Sequence, residues 1–185
     1  LLLVIVSLIN PVAKERVFDQ TINEMNLKNL DIESNQKNQI YIFSKNHHEI
    51  YISAFKMFLD NKFLGVGVKN FRNFCNDEKY KFGDLSCTSH PHNTFIQILV
   101  ETGIIGFLFL LFILFYFFKY LLIHLIYKFK KKNYFTDFEI CILSGILIYL
   151  WPFIPTGNFF NNWLTIIMIL NLPFLLWSRK VIKSV

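Results

Sequence analysis

The sequence predicts a mainly α, polytopic α-helical membrane protein: a large, mostly helical loop on one side of the bilayer, followed by three transmembrane helices. Three observations predict it. The chain is 54% hydrophobic and only 17% charged, well below the charge content usual in a soluble domain. Beyond residue 103, three apolar runs follow one another, each near the ~20 residues that a bilayer crossing needs. The net charge of +6 gathers at the ends of those runs. Residues 10–102 carry 11 basic and 11 acidic side chains. Beyond them Lys119, Lys128, Lys130, Lys131, Lys132, Arg179, Lys180 and Lys183 face only Asp137 and Glu139. Basic residues clustered at helix ends mark the cytoplasmic side. The basic pI therefore reports topology, and nucleic-acid binding is excluded.

In chain order, residues 1–9 are expected to be the end of a transmembrane helix, stopped by Asn10-Pro11. The run lacks an initiator Met, a basic leader and a small-residue cleavage site. It reads as membrane helix in the C-terminal piece of a longer protein rather than as a secretion signal. Residues 10–102 form the large loop. Val17, Ile22, Met25, Leu27 and Leu30 suggest one short amphipathic helix, and 36–38 reads as loop. From Asn46, taken as N-cap, Ile50, Tyr51, Ala54, Phe55, Phe58 and Leu59 fall at helical spacing through Asp60. A glycine-punctuated turn (63–68), a further helical turn (69–74) and an irregular loop (76–88) follow.

Pro91 then suits a first helical turn, with Thr88 or Ser89 as cap. Asn93, Gln97 and Glu101 recur every fourth residue as a polar stripe beside the apolar Phe95, Ile96, Ile98, Leu99 and Val100. That stripe stops at Gly103. Residues 103–127 are expected to cross the membrane, 128–137 to form a basic cytoplasmic loop, and 138–154 to cross back. An outer turn (155–159), a third crossing (160–178) and a cytoplasmic tail (179–185) complete the chain. By parity, residues 10–102 lie outside the cytoplasm. Tyr127, Tyr134, Trp151, Trp163 and Trp177 fit an interfacial aromatic belt.

The candidate chemistry sits where the amphipathic helix begins. The positive end of that helix disfavours an imidazolium, so His90 and His92 are expected to be neutral and able to accept a proton. The same backbone N–H groups suit a phosphate. Two plainer alternatives stand beside this one. The histidines are then polar caps at a wet helix start, or zinc ligands together with His47, His48, Cys75 and Cys87, whose spacings match no compact zinc pattern. Cys75 and Cys87 are either a disulfide that holds Arg72 near the histidines, or two thiols. Arg72, Lys69 and Arg16 are the cations best placed for an anionic substrate, or else solvated surface charges. Arginine's bidentate geometry favours Arg72. Glu101 is either a sugar-binding or acid/base group, or a polar residue at the interface. His124 reads as interfacial and Cys141 as packing.

One pattern is specific. His92-Asn93, nine residues, then Gly103-Ile104-Ile105-Gly106 resembles the signature of the O-antigen ligase and O-antigen polymerase superfamily, where it closes the large periplasmic loop and enters the next membrane helix. Gly65-Val66-Gly67 after Asp60-Asn61-Lys62 is similar to the family's turn after its loop helix. Pro155-Thr156-Gly157 and Asn161-Asn162 are likewise similar to the family. The likeness covers roughly residues 40–177. Phe107 departs from the threonine common after the second glycine, and His47 stands where the family has a loop arginine.

The resemblance implies an inverting, metal-independent glycosyltransferase of the bacterial inner membrane, with no cofactor. Its donor would be a glycan on undecaprenyl diphosphate, and its acceptor a hydroxyl of lipid A–core, of another glycan or of another acceptor. His92 would be the general base, with His90, Asn93 and Gln97 supporting it or binding the acceptor. Arg72, Lys69 and His47 would bind the diphosphate. Such a fragment would not act alone. The alternatives are a transport-type protein of surface-polysaccharide export and a non-catalytic assembly protein or sensor. The few intramembrane polar residues, Ser144, Thr165, Asn171 and His124, argue against a transport pathway.

Overall fold

The computed structural model describes residues 10–27 and 40–183, and every regular element among them is helical. The elements are α1 (Pro11–Lys14), a π turn (Glu15–Asp19), α2 (Gln20–Glu24), α3 (Lys45–Asp60), α4 (Phe71–Phe74), α5 (Thr94–Phe129), α6 (Asp137–Tyr149) and α7 (Asn162–Lys183). The expected helix end at 1–9, Leu30, the loop at 36–38 and the last two residues of the tail lie outside the described residues. Asn10 caps α1 by accepting the N–H groups of Val12 and Ala13, with Pro11 in the first turn.

Helix α3 starts two residues earlier than expected. Ser44 is extended, and its hydroxyl accepts the His47 N–H at 3.4 Å. Serine and asparagine cap equally well, so the sequence does not choose between Ser44 and Asn46. Ile50, Tyr51, Ala54 and Met57 pack on Phe71, Cys75 and Val100 to form the core of the loop. Phe55 and Leu59, at matching spacing, are instead exposed. Cys75 is bonded to Cys87, with Cα atoms 5.0 Å apart, which ties α4 to the segment before α5. The buried Glu49 accepts the Leu85 N–H at 2.9 Å and holds the intervening loop against α3.

Helix α5 begins later than expected. Asn93 is its cap, accepting the N–H groups of Phe95 and Ile96 at 3.0 and 3.1 Å. His92 has φ 55°, and a left-handed residue cannot continue a right-handed helix. Pro91 and both histidines therefore precede the helix. At Gly103 (φ 67°, ψ −166°) the helix breaks and restarts. The break orphans carbonyls before it and an N–H after it, and residues 62–67 supply their partners. Val66 N–H donates to Val100 O at 2.9 Å, Gly67 N–H to Glu101 O at 3.0 Å, and Ile104 N–H to Lys62 O at 2.8 Å.

Beyond the break, α5, α6 and α7 share a second core around Leu110, Phe117, Ile142, Leu143 and Ile146. A capping box of Thr136 and Glu139 opens α6. Among the described residues, α5 is the one helix long and apolar enough to cross a membrane. The 13 residues of α6 span about 20 Å, short of a ~30 Å hydrocarbon core. Helix α7 has 22 residues with Pro173 inside it. Helix α6 stops at Tyr149 because the residue before Pro152 is biased away from helical backbone. The non-helical connection is therefore longer than the expected 155–159 turn, and it doubles back onto the start of α5.

Candidate functional site: three imidazoles between α3 and α5

The first turn of α3 and the segment before α5 deliver three imidazoles to one place. The His92 ring lies 4.2 Å from that of His90 and 6.1 Å from that of His47, centroid to centroid. The His92 carbonyl accepts the Thr156 N–H at 2.8 Å, which fixes the left-handed residue from the far connection. His47 Nδ1 lies 2.9 Å from Ser44 Oγ, and its ring packs 5.9 Å from Tyr51. His90 is buried. Its Nδ1 sits 2.9 Å from Ser89 Oγ, and its Nε2 has no hydrogen-bond partner among the described residues.

Burial favours the neutral form of His90 and His92. Desolvation lowers the His92 pKa below the usual 6.5, and the neighbouring His47 adds to it. Desolvation also lowers that of His90, helped by His92 and, least, by Arg72, against an opposing contribution from the Thr156 backbone. Burial pushes the Tyr51 hydroxyl up to about 12, so it stays protonated beside them.

Two hollows border the cluster. Asn46, His47, Asp84, Thr88 and His92 line a cavity of about 410 Å³. A largely apolar groove of about 480 Å³ is lined by Phe43, Tyr51, Phe55, Phe95, Leu99 and Phe153. His47 faces the first and packs on Tyr51, which lines the second.

The candidate cations divide. Arg72 is exposed on α4, close enough for its charge to act on both His90 and Glu101. Lys69 is also exposed, and it is its backbone N–H that reaches the Glu101 carboxylate. Arg16 is exposed on the π turn.

Asn93 and Gln97, expected either to support His92 or to bind the acceptor, are engaged within the protein. Asn93 donates to the carbonyls of Pro152 and Ile154 at 2.9 and 3.3 Å. The fully buried Gln97 donates to Glu101 Oε2 at 3.1 Å and Asn158 Oδ1 at 2.8 Å, and accepts the Phe159 N–H at 2.9 Å. Neither amide has an N–H left for a sugar. Together they strap residues 152–159 to α5. Glu101 is 1% exposed. Burial raises its pKa, against the hydrogen bonds from Lys69, Gln97 and Phe71 and the charge of Arg72.

Three of the six zinc candidates have partners of their own. Cys75 and Cys87 are bonded to each other. His48 accepts the Ile42 N–H at 3.3 Å and packs between Tyr41 and Phe82. At the other end of α5, His124 accepts the Phe135 N–H at 3.2 Å. Cys141 is exposed, where packing was expected.

Ser44, Tyr51 and Thr156 join the site without having been singled out for it. Tyr51 had a trace in the sequence only as part of the apolar period of α3, and Thr156 only inside the Pro155-Thr156-Gly157 group. Its contact with the other side of the site is a matter of long-range folding.

No curated protein and no solved structure matches the chain significantly. The sequence profile of one family, described as O-antigen ligase, matches residues 1–111 and so takes in α3, the glycine turn, the imidazole cluster and the break at Gly103. The match spans 111 of 185 residues, more than half of the protein, and the chain belongs to the O-antigen ligase family.

Proposed function

We propose that the chain belongs to a membrane glycosyltransferase of the O-antigen ligase/polymerase type, moving glycan from an undecaprenyl-diphosphate donor to a hydroxyl acceptor at the periplasmic face. Residues 10–102 would then be periplasmic, with α5, α6 and α7 in the inner membrane and the Lys128–Lys132 cluster on the cytoplasmic side. The observation that carries this reading is the half-buried His92 imidazole. It is kept neutral by burial, lines a sugar-sized cavity, and stands at the start of the helix segment 94–102 whose far end is the break that starts the membrane run.

In this reading His92 takes the proton of the acceptor hydroxyl. The oxygen attacks the anomeric carbon from the face opposite the diphosphate, forming one C–O bond as the other breaks, so the configuration inverts. Undecaprenyl diphosphate departs with the electron pair, and side-chain cations meet its charge. Arg72 suits that role through its exposed guanidinium, with Lys69 and His47 as the further candidates. The apolar groove supplies a bed for the start of the lipid chain. His90 keeps its neighbour's ring oriented.

The test is transfer by the full-length protein in proteoliposomes, with lipid-linked donor, acceptor and a chelator present. Transfer that resists the chelator and is lost in His92→Ala, with insertion unchanged, supports the proposal. Unimpaired transfer by His92→Ala removes His92 as the base.

A further inference from the structure

Among the described residues, Phe63 and Leu64 are the two most exposed large apolar side chains ahead of the break, at 73% and 74%. They form the tip of the turn between α3 and α4, and backbone bonds lock that tip in place. Ile104 N–H donates to the Lys62 carbonyl on one side of it, and Val66 N–H to the Val100 carbonyl on the other. The tip is thereby held level with Gly103, where the unbroken apolar run begins. The outer face of α3 leads into it: Phe55 and Leu59 are 53% and 47% exposed, although the opposite face of the helix already fills the loop core. A helix apolar on both faces needs a second apolar partner.

We propose that this turn is a hook in the outer leaflet of the bilayer, with Phe63 and Leu64 in the acyl region and Leu59 and Phe55 at its boundary. The occupant is the lipid surface itself, because the patch is continuous with the exposed apolar start of the membrane run, where Ile105 is 58% and Leu108 57% exposed. The exposed ammonium groups of Lys62 and Lys69 flank the tip at the level of the lipid phosphates. The hook rests on the reading of α5 as a membrane helix, and it goes beyond glycosyl transfer. It sets the height of the imidazole cluster above the bilayer through the same turn that caps the first half of α5.

The test is spin-label depth measurement on the full chain in phosphatidylethanolamine and phosphatidylglycerol vesicles. With Cys141→Ser removing the free thiol, labels are placed singly by Phe63→Cys and Leu64→Cys. Glu78→Cys in the 76–88 loop and Phe112→Cys in the apolar half of α5 serve as references. The proposal expects the labels at 63 and 64 to collide with oxygen in preference to a water-soluble nickel complex, as at 112 and unlike 78. Labels at 63 and 64 that behave as at 78 while 112 reports lipid overturn the hook and leave the membrane helix standing. A water-like label at 112 overturns both. Labels at 63 and 64 shielded from both reagents put a protein against the turn and also overturn it.

Discussion

Gly65 and Gly103 meet backbone to backbone, each at φ 67°: a Cβ on Gly65 would fall 2.5 Å from the Glu101 carbonyl carbon, and one on Gly103 would fall on the Phe63 carbonyl oxygen. This contact lets the amphipathic half of α5 end, and be capped by the glycine turn, at the point where the apolar half begins. Alanine at either position meets both a disfavoured φ and rigid backbone, each costing on the order of 1–3 kcal/mol. Gly65→Ala and Gly103→Ala should therefore lower the melting temperature in detergent clearly. Gly145→Ala, where nothing lies within 4 Å, should be neutral or slightly stabilising in its helix. Equal effects at the three sites would refute the packing argument.

The imidazole cluster makes a pH prediction. A His92 pKa lowered by burial and by His47 leaves the base neutral below pH 6.5, so the acid limb of kcat/KM should fall below that value. His47→Asn removes one of the two causes and should move the limb upward. Stability follows the same sign. Between the folded and unfolded values the unfolded chain binds more protons, so stability is full above about 6.5 and declines as pH falls through the window. His92→Ala should lose about 10²–10⁴-fold in transfer.

The break in α5 is legible in the sequence, because the polar stripe of Asn93, Gln97 and Glu101 stops at Gly103. So is the end of α3, where Asp60-Asn61-Lys62 interrupts the apolar period. The start of α5 is not. Pro91 is a sound first-turn residue locally, but the Thr156 N–H fixes the His92 carbonyl from 64 residues away in a backbone that excludes helix. The roles of Asn93 and Gln97 were hidden for the same reason. A polar stripe on an amphipathic helix looks wet until the 152–159 connection folds over it. His47 next to His92 is likewise a tertiary fact, set by how α3 packs on α5.

Arg72 and Lys69 are separable by kinetics. The Arg72 charge acts on His90 and Glu101, while Lys69 contributes a backbone N–H to the same carboxylate. Arg72→Ala should reduce transfer by about 10²-fold if it meets the leaving diphosphate, with Arg72→Lys partly restoring it. Lys69→Ala keeps the backbone N–H and should have the smaller effect. Steady-state rates at saturating donor decide the order.

The Cys75–Cys87 bond closes a short loop and fixes α4, which carries Arg72, to the segment that carries His90 and His92. Closing a loop of this size is worth about 2–4 kcal/mol. Cys75→Ser with Cys87→Ser should lower the melting temperature and slow transfer, and dithiothreitol should reproduce both effects in the unmodified chain. A chain indifferent to reductant would show that packing of Phe71 and Tyr80 on α3 holds the loop by itself.

Gln97 offers the sharpest separation between a structural and a substrate-binding role. Its amide joins Glu101, Asn158 and the Phe159 N–H in a fully buried site. Gln97→Ala leaves those partners unsatisfied, at about 1–3 kcal/mol for each buried group. The 152–159 connection should then loosen from α5, with faster amide exchange at Thr156 and Phe159 and a lower melting temperature. Because the Thr156 N–H fixes the His92 carbonyl, kcat should fall with it. A side chain that held the acceptor would do the opposite, raising KM for the acceptor while exchange and melting stayed unchanged.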